Sequence, residues 1–122
     1  MALVLNEEQQ MLKTSAKELL KEKGSVEKLR LLRDSKDSTG YDKNLWREMA
    51  EMGWASLNIP EAYGGLNFGY TGLGQVLEET GRTLTASPLV STVLMSATAI
   101  NLGGNVMQKE ELLPQIAAGD LV

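Results

Sequence analysis

No stretch of this sequence alternates apolar and polar residues long enough to make a half-buried strand; its apolar residues recur at intervals of three and four instead. That spacing lines up side chains on one face of a 3.6-residue helix. No internal repeat period is superimposed on it. The chain is therefore expected to be all-α, with five or six helices and no sheet. At 122 residues it is long enough for one compact domain. With 43% apolar and 23% charged residues it can bury a core.

Asn6, followed three positions later by Gln9 and with Glu7 and Glu8 between them, predicts a capped helix start. Leu12, Ala16, Leu19 and Leu20 form the inner face of that helix up to Gly24. Ser25 is expected to cap a short second helix with Val26, Leu29 and Leu32, and the polar run 34–40 to be a loop. Asp42 opens a third helix that turns Leu45, Trp46, Met49 and Met52 inward and stops at Gly53. Pro60 then forces the brief apolar stretch 55–59 into a turn. A fourth helix from Tyr70 and Thr71 is expected to bury Leu73, Val76, Leu77 and Thr80 and to end near Gly81. Gly72 and Gly74 each weaken it by about 1 kcal/mol relative to alanine, which predicts close packing in its first turn.

Ser87 as N-cap and Pro88 at the first helical position predict a fifth helix reaching about Leu102. It is apolar or small nearly all round, so it must be buried on most sides or touch another domain. Asn105 and Gln108 cap a sixth helix, expected to end near Pro114 with Ile116 in a last short turn.

A net charge of −4 gives no basic stripe for nucleic acid, and the interleaved charges of 23–33 read as a solvated helix face. The absence of cysteine and histidine removes disulfides, thiol and imidazole catalysis and the common zinc sites from this segment. The first residues lack the positive start of a signal peptide, which leads us to expect a bacterial cytoplasm, or a mitochondrial matrix if the source is eukaryotic. The apolar run 89–102 is too short and too interrupted to span a membrane.

Few residues are candidates for chemistry. Glu78 and Glu79 are adjacent, and helical neighbours point about 100° apart, so they are not expected to share a site; Glu79 is expected to reach Arg82 or an adjoining segment instead. Gly64-Gly65 and Gly69 lack the lysine and the preceding strand of a phosphate-binding loop. They read as a turn with Tyr63 packed over the core. Met49 and Met52 read as core filling, whereas Met95 and Met107 are open to a ligand-facing role.

Three motifs in order carry a resemblance. The run Glu51-Met52-Gly53-Trp54 through Pro60-Glu61-Ala62-Tyr63-Gly64-Gly65-Leu66 is similar to the Glu-x-Gly and Pro-Glu-x-Tyr-Gly-Gly-x-Gly segment of acyl-CoA dehydrogenases, with Asn67 in place of the last glycine. Leu77-Glu78-Glu79-Thr80-Gly81-Arg82 resembles their Glu-Glu-Leu-Gly-Arg element, and Gln108-Lys109 with Leu113-Pro114 and Gly119-Asp120 resembles their Gln-Lys and Leu-Pro-x-x-x-x-Gly-Glu ending. The resemblance implies that residues 1–122 are the N-terminal helical domain of such an enzyme, followed in the parent by a middle β domain and a C-terminal helical bundle. It implies an FAD-dependent α,β-dehydrogenation of an acyl-CoA thioester. FAD and the proton-abstracting glutamate are then carried beyond Val122, and no residue here is catalytic or cofactor-binding. It further implies electron-transfer flavoprotein as a partner and a homodimer or homotetramer. In this family the fifth helix walls the acyl slot, which makes Leu89, Ser91, Thr92 and Met95 the candidate substrate-binding residues. A non-catalytic subunit of a heteromeric dehydrogenase and a free-standing helical interaction module are the alternatives.

Overall fold

A computed structural model describes residues 4–122, which form six α-helices with no strand among them. The first, α1 (Glu7–Lys23), begins as its sequence requires: Asn6 Oδ1 accepts from the Gln9 amide at 2.8 Å, and Gln9 Oε1 accepts from the Asn6 amide at 3.0 Å. Two otherwise orphaned helical donors are satisfied reciprocally. An equivalent box between Asn105 and Gln108 starts the last helix, α6 (Val106–Ala117).

The main core lies where α1 packs along α4 (Gly69–Thr83). Ala16 and Leu20 meet Leu73 and Val76 there, joined by Leu45, Trp46 and Met49 of α3 (Lys43–Glu51) and by Trp54, Ala55 and Leu57 of the following 3₁₀ turn. Trp54 is fully buried, and its indole N–H has no partner among the described residues. A smaller second cluster of Ile59, Ala97, Leu113 and Ile116 forms beneath α6. The two clusters are tied by Trp46 Nε1, which donates to the Gly119 carbonyl at 3.0 Å. Gly119 has φ +81°, and a Cβ there would sit 2.5 Å from that of Ala50, so only glycine lets this end of the chain lie on α3.

Several expectations are corrected. The second helix, α2 (Val26–Asp34), is present with Val26, Leu29 and Leu32 as its half-buried side, but Ser25 makes no capping side-chain bond. Met52 is 43% exposed because it falls past the end of α3. On α4 the buried positions are Gly72, Leu73, Val76 and Glu79, while Leu77 and Thr80 are half-buried. Pro114 does not end α6, which runs through to Ala117. The carbonyl that proline leaves without a donor belongs to Glu110, an exposed residue.

The largest correction concerns the fifth helix. Instead of one α-helix there is a π-helical stretch, Leu89–Ser96, that passes into α5 (Ala97–Gly103). Its N-cap is Pro88, with the Ser87 hydroxyl only 3.4 Å from the Leu89 amide. Among the described residues no helix is long and apolar enough to cross a membrane.

Candidate functional site

In the π-helical stretch the Ala97 amide donates to the Thr92 carbonyl, five residues back. A wider turn advances each residue by less than the 100° of an α-helix. Positions four apart then stay on one side better than positions three apart. Leu89, Val93 and Ala97 are accordingly all buried, while Ser91, Met95 and Ala99 are all exposed. One helix thus has a core side and an open side with the same four-residue step. The register is also held by Ser96, whose hydroxyl donates to the Ser91 carbonyl at 2.8 Å.

This geometry divides the four candidate residues. Leu89 is fully buried in the main core, Thr92 is 5% exposed, Ser91 is exposed and Met95 is 63% exposed. An α-helical count places Leu89, Thr92 and Met95 on one face, whereas the structure keeps Leu89 and Thr92 inside and turns Met95 out. Ala99 belongs with Ser91 and Met95, and its only sequence signal is the four-residue spacing.

Beside the open stripe, the first turn of α4 reaches across to α5. Tyr70 Oη donates to Thr98 Oγ1 at 3.3 Å, and Asn58 Nδ2 donates to the same oxygen at 3.0 Å. Gly74 lies one turn beyond Tyr70 on the same face of α4, and a Cβ built there meets nothing within 4 Å. Gly72 is the tight one, since its Cβ would approach Phe68 Cδ1 to 2.0 Å. Close packing accounts for the first glycine, and open space surrounds the second. Asn58 falls within the first of the three motif runs and Tyr70 and Thr98 in none of them; the three meet only through the tertiary fold.

The glycine turn is closed to phosphate. Successive amides all donate inward, Gly65 to the Pro60 carbonyl at 3.1 Å, Leu66 to Ser56 at 2.9 Å, Asn67 to Ile59 at 3.0 Å and Phe68 to Leu57 at 2.7 Å. The four amides 65–68 are thus spent within the chain rather than aimed at an anion. A Cβ on Gly65 would stand 1.8 Å from the Ile59 carbonyl oxygen, and Asn67, at the family's glycine position, takes φ +49°, a region asparagine tolerates. The turn therefore holds its own shape through its amides and offers none of these four to a diphosphate.

Glu79 reaches both Arg82 and the adjoining helix α1, as expected, but the two carboxylates, expected to act apart, share the same cations. Lys13 of α1 bridges both, at 2.7 Å to Glu78 and 3.4 Å to Glu79, and Arg82 lies 3.3 Å from Glu79 and 3.6 Å from Glu78. Two cations reach around the helix from either side, which the 100° offset between the carboxylates does not prevent. The hydrogen bond from Lys13 holds the Glu78 carboxyl below its ordinary value, and the same bond raises the Lys13 ammonium. Glu79, 3% exposed, is compensated by both cations. The group is a clamp between α1 and α4.

A family model described as the acyl-CoA dehydrogenase N-terminal domain matches residues 6–120. The acyl-CoA dehydrogenase IpdE2 of Mycolicibacterium smegmatis is 34% identical over 116 residues, which cover 94% of this chain and 35% of that protein. Among solved structures, a steroid ACAD variant described as Tcur3481-Tcur3483 superimposes with a TM-score of 0.82 at 33% identity, covering 93% of this chain and 30% of that one. A chain of the ChsE4-ChsE5 complex from Mycobacterium tuberculosis gives 0.86 at 27% identity, covering 98% and 32%. The chain thus spans about a third of the length of the relatives it matches.

Proposed function

The chain belongs to the acyl-CoA dehydrogenase family, as its N-terminal domain, and from that premise we propose that its helix five walls the acyl slot of a longer FAD-dependent enzyme. The parent introduces an α,β double bond into an acyl-CoA thioester. It has the β domain and C-terminal bundle of its family, and electrons leave through an electron-transfer flavoprotein. When bound outside these residues, FAD would supply the acceptor for the β-hydride, and a carboxylate, also outside them, would take the α-proton. The part of this chain is to exclude water and shape the slot.

The observation that carries the reading is the open side of helix five. A methionine and small residues face outward at a regular step, on a helix whose other side is fully engaged in the core. Exposed apolar surface of this kind, set at a regular step on a helix anchored by its other side, marks a binding face. Within the original four residues, Ser91 and Met95 line the slot, and Leu89 and Thr92 support it from behind.

The test is Met95→Trp in the full-length protein. Filling the slot should shift the preference in kcat/KM towards shorter acyl groups by about tenfold or more, at about 1 to 3 kcal/mol per methylene, with flavin content unchanged. An unaltered chain-length profile in a folded, flavin-replete variant rejects the acyl wall.

A second reading is favoured by the two solved relatives, each described with a pair of differently designated chains. In it the domain belongs to the non-catalytic subunit of a heteromeric dehydrogenase. Full-length protein that is fully active without a second gene product rejects this reading in favour of a homo-oligomer.

A further inference from the structure

We infer that Tyr70, Thr98 and Asn58 together bind a carbonyl or hydroxyl oxygen of the acyl-CoA that lies on the open stripe, an inference that rests on the acyl-wall reading above. The reasoning is a count of donors and acceptors. Thr98 Oγ1 accepts from Asn58 Nδ2 and from Tyr70 Oη, which uses both lone pairs of a hydroxyl and leaves its own proton to donate elsewhere. Tyr70 Oη, having donated, retains acceptor capacity, and its residue is 55% exposed.

The position of this surplus matters. Thr98 precedes Ala99 and follows Met95 by three, so its half-buried hydroxyl stands at the border of the apolar stripe. A saturated hydrocarbon lying there offers nothing to accept the threonine proton, whereas an oxygen atom does. Joining the 3₁₀ turn to α5 needs only the Asn58–Thr98 bond. The phenol of Tyr70 is added from outside, at the exposed first turn of α4, beside a glycine whose side-chain space is empty. An uncharged hydroxyl cluster with neither lysine nor arginine in it selects a neutral oxygen over an anion.

Two oxygen sources share this chemistry: the thioester and amide carbonyls common to every acyl-CoA, and a hydroxyl or ketone on the acyl skeleton itself. The experiment measures kcat and KM of the full-length protein with a plain straight-chain acyl-CoA and with one of the same length bearing a hydroxyl or keto group. Tyr70→Phe should lower kcat/KM about tenfold, chiefly through KM, and Thr98→Val should do the same, while Thr98→Ser, which keeps the hydroxyl, retains activity. Loss on the substituted substrate alone assigns the oxygen to the acyl skeleton; equal loss on both assigns it to the carbonyls of the CoA thioester arm. Tyr70→Phe and Thr98→Val variants with unchanged kcat/KM on both substrates and unchanged melting overturn the inference. Met95→Trp is run alongside, so that an indifferent chain-length profile registers as failure of the acyl wall itself.

Discussion

Where α1 meets α4, apolar residues at helical spacing find partners within the chain and the buried carboxylate of Glu79 lies between Lys13 and Arg82. Along helix five, Leu89, Val93 and Ala97 are equally well buried, yet Met95, Ala99 and Leu102 on the other side are left open. Both regions bury apolar residues at a regular helical step, although α1 carries charges along its outer face and helix five does not. The first is finished inside this domain and the second is not. A sealed interface supplies stability, and a half-sealed helix keeps apolar surface available for another body at no cost to its own anchoring.

The sharpest way to break this contrast is truncation in the sealed region. Leu73→Ala, at a position with no exposure, should destabilise the chain by about 3 kcal/mol; a loss below about 1 kcal/mol in chemical denaturation would mean that the interface is looser than its burial implies. Next comes Glu79→Gln, which removes the buried charge and leaves Lys13 and Arg82 with Glu78 alone. The expected loss is about 1 to 2 kcal/mol, read from the same denaturation curves, and an unchanged midpoint would reduce the clamp to ornament.

Gly74→Ala sharpens the comparison from the other side. Its Cβ has open space, so the substitution should stabilise α4 by about 0.5 to 1 kcal/mol while lowering affinity for bulky acyl groups in the full-length protein. A gain in melting temperature without any change in substrate preference would detach Gly74 from the binding face.

The clamp also carries a pH signature. Glu78 titrates below its ordinary 4.5, so its contribution is present above that value and is lost as the pH falls through the lowered one. Lys13 titrates above its ordinary 10.5, so its contribution is present below 10.5 and disappears as the pH rises through the raised value. Lys13→Met should flatten both limbs of the stability profile. Parallel profiles for variant and parent would show that the ion pair does not hold in solution. The smallest effect belongs to the open side: Met95→Ala should change the stability of this chain by less than about 0.5 kcal/mol, in contrast to Leu73→Ala.

Much of this architecture was legible in the residues. The two Asn–Gln boxes, the inward faces of α1 and α3 and the helical class follow from local rules, because caps and amphipathic repeats are decided within a turn or two of chain. The three spaced motifs carried the family, since turns such as 60–67 demand particular residues wherever they occur. The division of helix five was not legible. An α-helical count of Leu89, Thr92 and Met95 assumes a turn of 3.6 residues, and only packing against two separate cores selects the wider one. Nor did the sequence reveal that Lys13 would bridge adjacent carboxylates from 65 positions away, or that Asn58, Tyr70 and Thr98 would converge. What the sequence determined by itself is the local geometry, encoded in nearest neighbours along the chain. Which faces are sealed, which stay open and which polar groups meet was left to the tertiary structure, because those outcomes depend on distances between residues that no local rule connects.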